Sequence, residues 1–171
     1  MIELRWSDRT LWSVLALGGA SLAVASIVLT EWLNLHPCHL CIFQRLLFML
    51  LTVACALAAW RPRGFVGRGC GVAVIGVSAL GVGVAAYQSR LQWEAAKNPM
   101  LSCGGGDPNA IERFVDYLGA HVPSLFFATG FCEDTELVIF GLSLANWALV
   151  SFSGFLALGG WLTVRAFRGL R

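Results

Sequence analysis

The chain has 171 residues, of which 57% are hydrophobic and only 13% charged, against about 45–50% and about 25% in an ordinary soluble domain. Its mean hydropathy is +0.71, and 12 Lys and Arg stand against 10 Asp and Glu. This excludes a disordered chain and a nucleic-acid binder that works by bulk positive charge, and makes lipid the expected solvent.

Four apolar stretches, 11–29, 42–60, 70–88 and 146–164, approach the roughly 20 residues of helix that cross a hydrocarbon core about 30 Å thick. None shows the alternation of a strand, and helices satisfy their own backbones in lipid. The sequence therefore predicts an all-α membrane protein, a four-helix transmembrane bundle forming a single membrane domain over 1–171. Loops of about 30–41 and 89–145 lie on one side, and one of about 61–69 on the other. The first stretch is read as a true span rather than a signal peptide, because it is too long and only Thr30-Glu31-Trp32 follows it.

Basic residues orient the bundle. Both tails and the loop 61–69 hold Arg5, Arg9, Arg61, Arg63, Arg68, Arg165, Arg168 and Arg171 against Glu3 and Asp8. The opposite side holds Arg45, at the head of the second span, and Arg90, Lys97 and Arg113 against Glu31, Glu94, Asp107, Glu112, Asp116, Glu133, Asp134 and Glu136. The positive-inside rule then puts both termini in the cytoplasm. Trp12, Trp32, Trp60, Trp93 and Trp147 fall near span ends, as expected of an interfacial aromatic belt, and Trp6 and Trp161 fit it loosely. Gly71, Gly76, Gly81 and Gly83 read as a close-packing surface of the third span rather than as a ligand loop.

Six cysteines are sorted by this topology. Cys55 and Cys70 fall within or at the cytoplasmic end of spans, where an unpaired cysteine behaves as a small hydrophobe. Cys38 and Cys41 in the first outer loop, and Cys103 and Cys132 in the second, face an oxidising compartment. Cys38-His39-Leu40-Cys41, introduced by His36-Pro37, places Cys41 in the opening turn of the second span. The positive end of the helix dipole favours a thiolate there, and Arg45 follows one turn on. Competing readings are a structural disulfide, a zinc site drawing on His36, Cys38, His39, Cys41 and His121, and haem attachment. Zinc lacks a second pair at ligand spacing, and haem lacks a histidine after Cys41, where Ile42 stands.

In the second outer loop, Gly104-Gly105-Gly106 and Asp107-Pro108-Asn109 read as a turn between Cys103 and Cys132. Residues 110–118 then read as a short amphipathic helix, with Ile111, Phe114, Val115 and Leu118 on one face, lying on the membrane surface beside Pro123, Phe126 and Phe127. Taken alone, Cys103 and Cys132 fit a loop staple as well as a mobile redox pair.

Four spans, Cys38-x-x-Cys41 running into Ile42-Phe43-Gln44-Arg45, and a long loop carrying Cys103 and Cys132 resemble the DsbB family of disulfide bond formation proteins. The likeness extends through Gly130-Phe131-Cys132 and Gly141-Leu142-Ser143-Leu144 to Trp147. The resemblance implies an oxidoreductase of the bacterial inner membrane that carries two electrons from a periplasmic DsbA-like thioredoxin-fold oxidase to a membrane quinone, ubiquinone or menaquinone. It implies catalytic roles for Cys38, Cys41, Cys103 and Cys132, a quinone held near Arg45, and no metal or nucleic acid. Two positions depart from the family pattern: Gln44 where an acidic residue can occur, and Tyr87-Gln88-Ser89-Arg90 where a relative can place a histidine near the quinone. The alternatives are a related membrane thiol-disulfide reductase, a client-specific paralogue, and a tetraspan scaffold stapled by two structural disulfides.

Overall fold

A computed structural model describes residues 7–62, 64–97, 109–132, 135 and 137–168. Cys103, the turn 104–108, Glu133, Asp134, Glu136, Arg63 and the outermost basic residues Arg5 and Arg171 lie outside the described residues. The helices are α1 (Asp8–Trp32), α2 (His39–Trp60), α3 (Phe65–Lys97), α4 (Ala110–His121), α5 (Pro123–Phe126) and α6 (Leu144–Arg168). Strands β1 (Val138–Ile139) and β2 (Leu142–Ser143) form an antiparallel hairpin that leads straight into α6.

Four helices, α1, α2, α3 and α6, are long and apolar enough to cross a membrane. Their burial pattern agrees with that role. Leu17, Val53, Val72 and Leu158 face outward, while Gln44, Arg45, Ser78, Gln88 and Thr163 are buried between helices. Water would favour the reverse arrangement, whereas lipid favours apolar side chains outside and polar ones inside the bundle.

Local chemistry starts the helices. Ser7 caps α1 by accepting from the Thr10 N–H, and Asn109 caps α4 in a box with Glu112. The third helix runs well beyond residue 88. Its 33 residues extend about 50 Å at 1.5 Å each, more than a hydrocarbon core needs. Arg90 and Glu94 pair at 2.8 Å on the projecting part, and Gln92 stays buried there.

The bundle packs most closely where α3 meets α6 and α1 meets α2, with α2 also against α3 and only sparse contact between α1 and α6. Close approach depends on small residues: a Cβ at Gly81 would overlap the Phe152 ring, and one at Gly71 would press on Thr163. Gly76 and Gly83 instead face open space. Trp12 departs from the expected belt. It is 2% exposed and packs in the central core with Leu15 and Leu47, because its position one turn into α1 points it at the bundle rather than at lipid. Trp32, Trp60, Trp93 and Trp161 are exposed.

The helix at 110–121 has one face seated on the bundle. Val115 is 1% exposed and clusters with Ile42 at the head of α2 and Phe126 of α5, while Phe114 and Tyr117 are exposed.

Candidate functional site

The site is built around the first turn of α2. Cys38 is its N-cap, and its Sγ accepts from the Cys41 N–H at 3.4 Å. The Cys38 and Cys41 sulfurs lie 3.0 Å apart. A thiol in the cap position replaces the usual Ser or Asp oxygen, so the turn that starts the helix also brings two sulfurs together. Cys38 is buried and Cys41 half-buried.

Cys132 arrives from far along the chain. Thr129 and Gly130 both donate their backbone N–H to the Pro37 carbonyl, at 3.0 and 3.2 Å, docking this segment on the turn before α2. Gly130 packs so closely on the His36 carbonyl that a side chain there would overlap it. Cys132 thereby enters the cluster of Cys38, Leu40 and Val84. The Cys38 thiol has one proton, which Cys132 or Cys41 can accept, and it is buried; these effects hold it well above the ordinary thiol range. Accepting from Cys38, and then from the backbone of Leu40, moves Cys132 the other way, below that range, despite partial burial. Three of the four predicted outer cysteines are thus assembled in one place, with Cys103 outside the described residues.

Sequence reasoning did not assign the amide pair behind the sulfurs. Gln88 of α3, 2% exposed, donates from Nε2 to Cys41 Sγ at 3.0 Å and to Cys38 Sγ at 3.4 Å. Its Oε1 accepts from Gln44 Nε2 at 2.8 Å. The sequence marked both positions as departures from the family pattern near span ends, with nothing to say that the two face one another.

Arg45 lies one turn beyond Cys41. It is 4% exposed, so its guanidinium is buried between helices. Its Nε donates to Ser26 Oγ at 3.0 Å, Nη1 to the Leu125 carbonyl at 2.9 Å, and Nη2 to Thr30 Oγ1 at 2.8 Å and the Ser26 carbonyl at 3.3 Å. The planar fork therefore ties α1 to α5 across α2, through neutral oxygens that leave its positive charge uncancelled by those bonds.

A cavity of about 440 Å³ opens beside these groups. Cys41, Gln44, Arg45 and Gln88 line its polar end. Leu22, Leu29, Phe48, Leu144 and Ala148 line an apolar remainder between α1, α2 and α6, where α1 and α6 barely touch.

The chain matches the family model described as Disulfide bond formation protein DsbB over residues 8–162. The chain belongs to the DsbB family. Among curated DsbB relatives, Disulfide bond formation protein B of Dechloromonas aromatica (strain RCB) is 43% identical over 92% of this chain and 93% of that protein. The protein of the same description from Polaromonas sp. (strain JS666 / ATCC BAA-500) is 32% identical over 94% and 93%. That from Burkholderia thailandensis is 35% identical over 85% and 83%. As a DsbB family member with four membrane-spanning helices, this is a multi-pass bacterial membrane oxidoreductase of disulfide bond formation.

Proposed function

We propose that this DsbB family protein is a dithiol:quinone oxidoreductase of the inner membrane, with both termini cytoplasmic, that reoxidises a periplasmic DsbA-like thioredoxin-fold protein. The observation that carries the reading is the packing of Cys132 against Cys38, whose pair with Cys41 lines a cavity shared with Arg45.

In the exchange steps, a partner thiolate attacks Cys103 of a Cys103/Cys132 disulfide, forming a mixed disulfide and releasing the Cys132 thiolate. Cys132, packed against Cys38, then attacks Cys38 of a Cys38/Cys41 disulfide, with Cys41 leaving as thiolate. The partner's second thiol releases Cys103, and Cys103 attacks Cys132. These last two displacements yield the oxidised partner, regenerate the Cys103/Cys132 disulfide and leave Cys38 and Cys41 as a dithiol. A quinone bound in the cavity would supply the oxidising power, accepting two electrons and two protons per turnover.

The residues present fit such an acceptor. The volume suits a ring with the start of an isoprenoid tail, the apolar walls suit both, and the sparse α1/α6 seam leaves a side facing lipid. Arg45 would stabilise negative charge developing on a ring oxygen, preorganised by its bonds to Ser26, Thr30 and Leu125.

The test mixes purified protein with the reduced partner and a short-chain quinone and follows quinone absorbance. Cys41→Ser is expected to abolish turnover. Arg45→Ala is expected to lower kcat/KM by about ten- to hundredfold, the worth of a hydrogen bond to a charged group. Unchanged rates in both variants would overturn the assignment.

A further inference from the structure

Gln88 and Gln44 lie behind the sulfurs and do not themselves exchange electrons. Both are buried, and together they form a chain of one polarity: Gln44 Nε2 donates to Gln88 Oε1 at 2.8 Å, and Gln88 Nε2 donates to Cys41 Sγ at 3.0 Å and to Cys38 Sγ at 3.4 Å. With Oε1 held by Gln44, the amide presents only N–H to the sulfurs. The value of that N–H depends on what it meets. A thiolate is a strong, charge-assisted acceptor, whereas the sulfur of a disulfide is neutral and accepts weakly. Gln88 is buried, so its bond to the sulfurs is screened less than it would be in water and the difference between the two redox states is retained.

We infer that Gln88, oriented by Gln44, is a positioning residue that stabilises the reduced form of the Cys38/Cys41 couple and so makes its disulfide a stronger oxidant. The couple is balanced as the Cys38/Cys41 disulfide plus two electrons and one proton giving the Cys38 thiol and the Cys41 thiolate. The electrons come from an external dithiol, which becomes a disulfide. Stabilising the reduced side raises the potential, the same logic by which a strongly oxidising disulfide arises from a stabilised dithiol. The inference rests on the reading of Cys38 and Cys41 as an exchanging pair.

The test is a redox titration of the full-length, quinone-depleted protein carrying Cys103→Ala and Cys132→Ala, so that one pair responds. It is equilibrated with graded ratios of reduced and oxidised dithiothreitol, and the pair is read by differential alkylation and mass spectrometry. Gln88→Leu is expected to shift the equilibrium toward the disulfide by about ten- to hundredfold, or about 30–60 mV at 29.6 mV per tenfold. Gln44→Met is expected to shift it the same way. A thioether cannot donate to Gln88 Oε1, so the amide loses the bond that orients its N–H toward the sulfurs, with no charge added. Should Gln88→Leu fail to fold, Gln44→Met decides, since it nearly keeps the volume of the site.

Titrations that coincide with the parent for the variants that fold would overturn the inference. A parent that exchanges thiols but reduces no quinone would overturn the functional reading while leaving the shifts in place. Unshifted potentials in a parent that does reduce quinone would overturn this inference alone.

Discussion

At the scale of single residues, the site separates two sulfurs by what each receives from its neighbours. Cys38 donates and is buried, so its thiol persists to higher pH than usual; Cys132 accepts, so its thiolate persists to lower pH. As pH falls, an ordinary exposed thiol near pKa 8.5 loses close to tenfold in alkylation rate per unit below that value. Fully reduced protein treated with iodoacetamide is expected to label Cys132 with a shallower dependence than that, and Cys38 hardly at all. Removing the donor by Cys38→Ala should steepen the Cys132 profile toward that of a free thiol. Equal labelling of Cys38 and Cys132 at neutral pH would contradict the assigned donor and acceptor. The cysteines could be chosen from the sequence because Cys-x-x-Cys at a helix start is a local pattern. Gln88 could not be given its place, because its meaning depends on which face of α3 meets α2, 44 residues away from Gln44 in the chain. Trp12 misled for a related reason: distance from a span end does not say whether a side chain points to lipid or core.

At the scale of elements, the segment before Cys132 is held by two hydrogen bonds to one carbonyl and by a glycine with no room for a methyl group. Gly130→Ala sets that methyl against the backbone oxygen of His36, which has no flexible side chain to move aside. The segment must lift, taking Cys132 from Cys38. Sulfur-to-sulfur displacement is sensitive to about an ångström of misplacement, so transfer from Cys132 to Cys38 is expected to slow on the order of ten- to hundredfold. Copper-phenanthroline oxidation should correspondingly trap less Cys38–Cys132 disulfide, with helix content by circular dichroism unchanged. Undiminished trapping would show that the docking is not what positions the sulfur. Helices α1, α2 and α6 were legible from runs of apolar residues, and α3 was legible except for its extension, where Arg90, Glu94 and Lys97 end the apolar run but not the helix. The hairpin was not legible, since two-residue strands carry no periodicity. It is made by its turn, where Phe140 and Gly141 take φ of 52° and 79° as a two-residue hairpin turn requires. It is then fastened by Trp147 Nε1 donating to the Ile139 carbonyl at 3.0 Å and by Ser143 Oγ donating to Gln92 at 2.7 Å.

At the scale of the molecule, the cavity depends on how far apart the helices stand, and one contact relays that spacing. Gly81 of α3 lets the Phe152 ring of α6 lie against its backbone. Phe152 stacks on Phe48 with centroids 4.1 Å apart and planes 6° from parallel. Phe48 in turn lines the cavity. A methyl group at position 81 overlaps the Phe152 ring, and because Phe152 is completely buried, the ring can move only by displacing Phe48 or by parting α3 from α6. Overpacking of this kind typically costs about 1–3 kcal/mol, and lipid exerts no compensating hydrophobic pressure to hold the helices together. Gly81→Ala is therefore expected to lower the unfolding midpoint in detergent and to raise the KM for quinone several-fold, while thiol exchange at Cys132 and Cys38 continues. Gly76→Ala and Gly83→Ala are the internal controls. Nothing lies within 4 Å of a Cβ at either position, so the loss of glycine's backbone freedom should leave stability unchanged or slightly raised. If all three variants behaved alike, the Gly81, Phe152 and Phe48 contact would not be what sets the cavity. If Gly81→Ala alone raised KM, bundle spacing would be coupled to acceptor binding through two stacked rings.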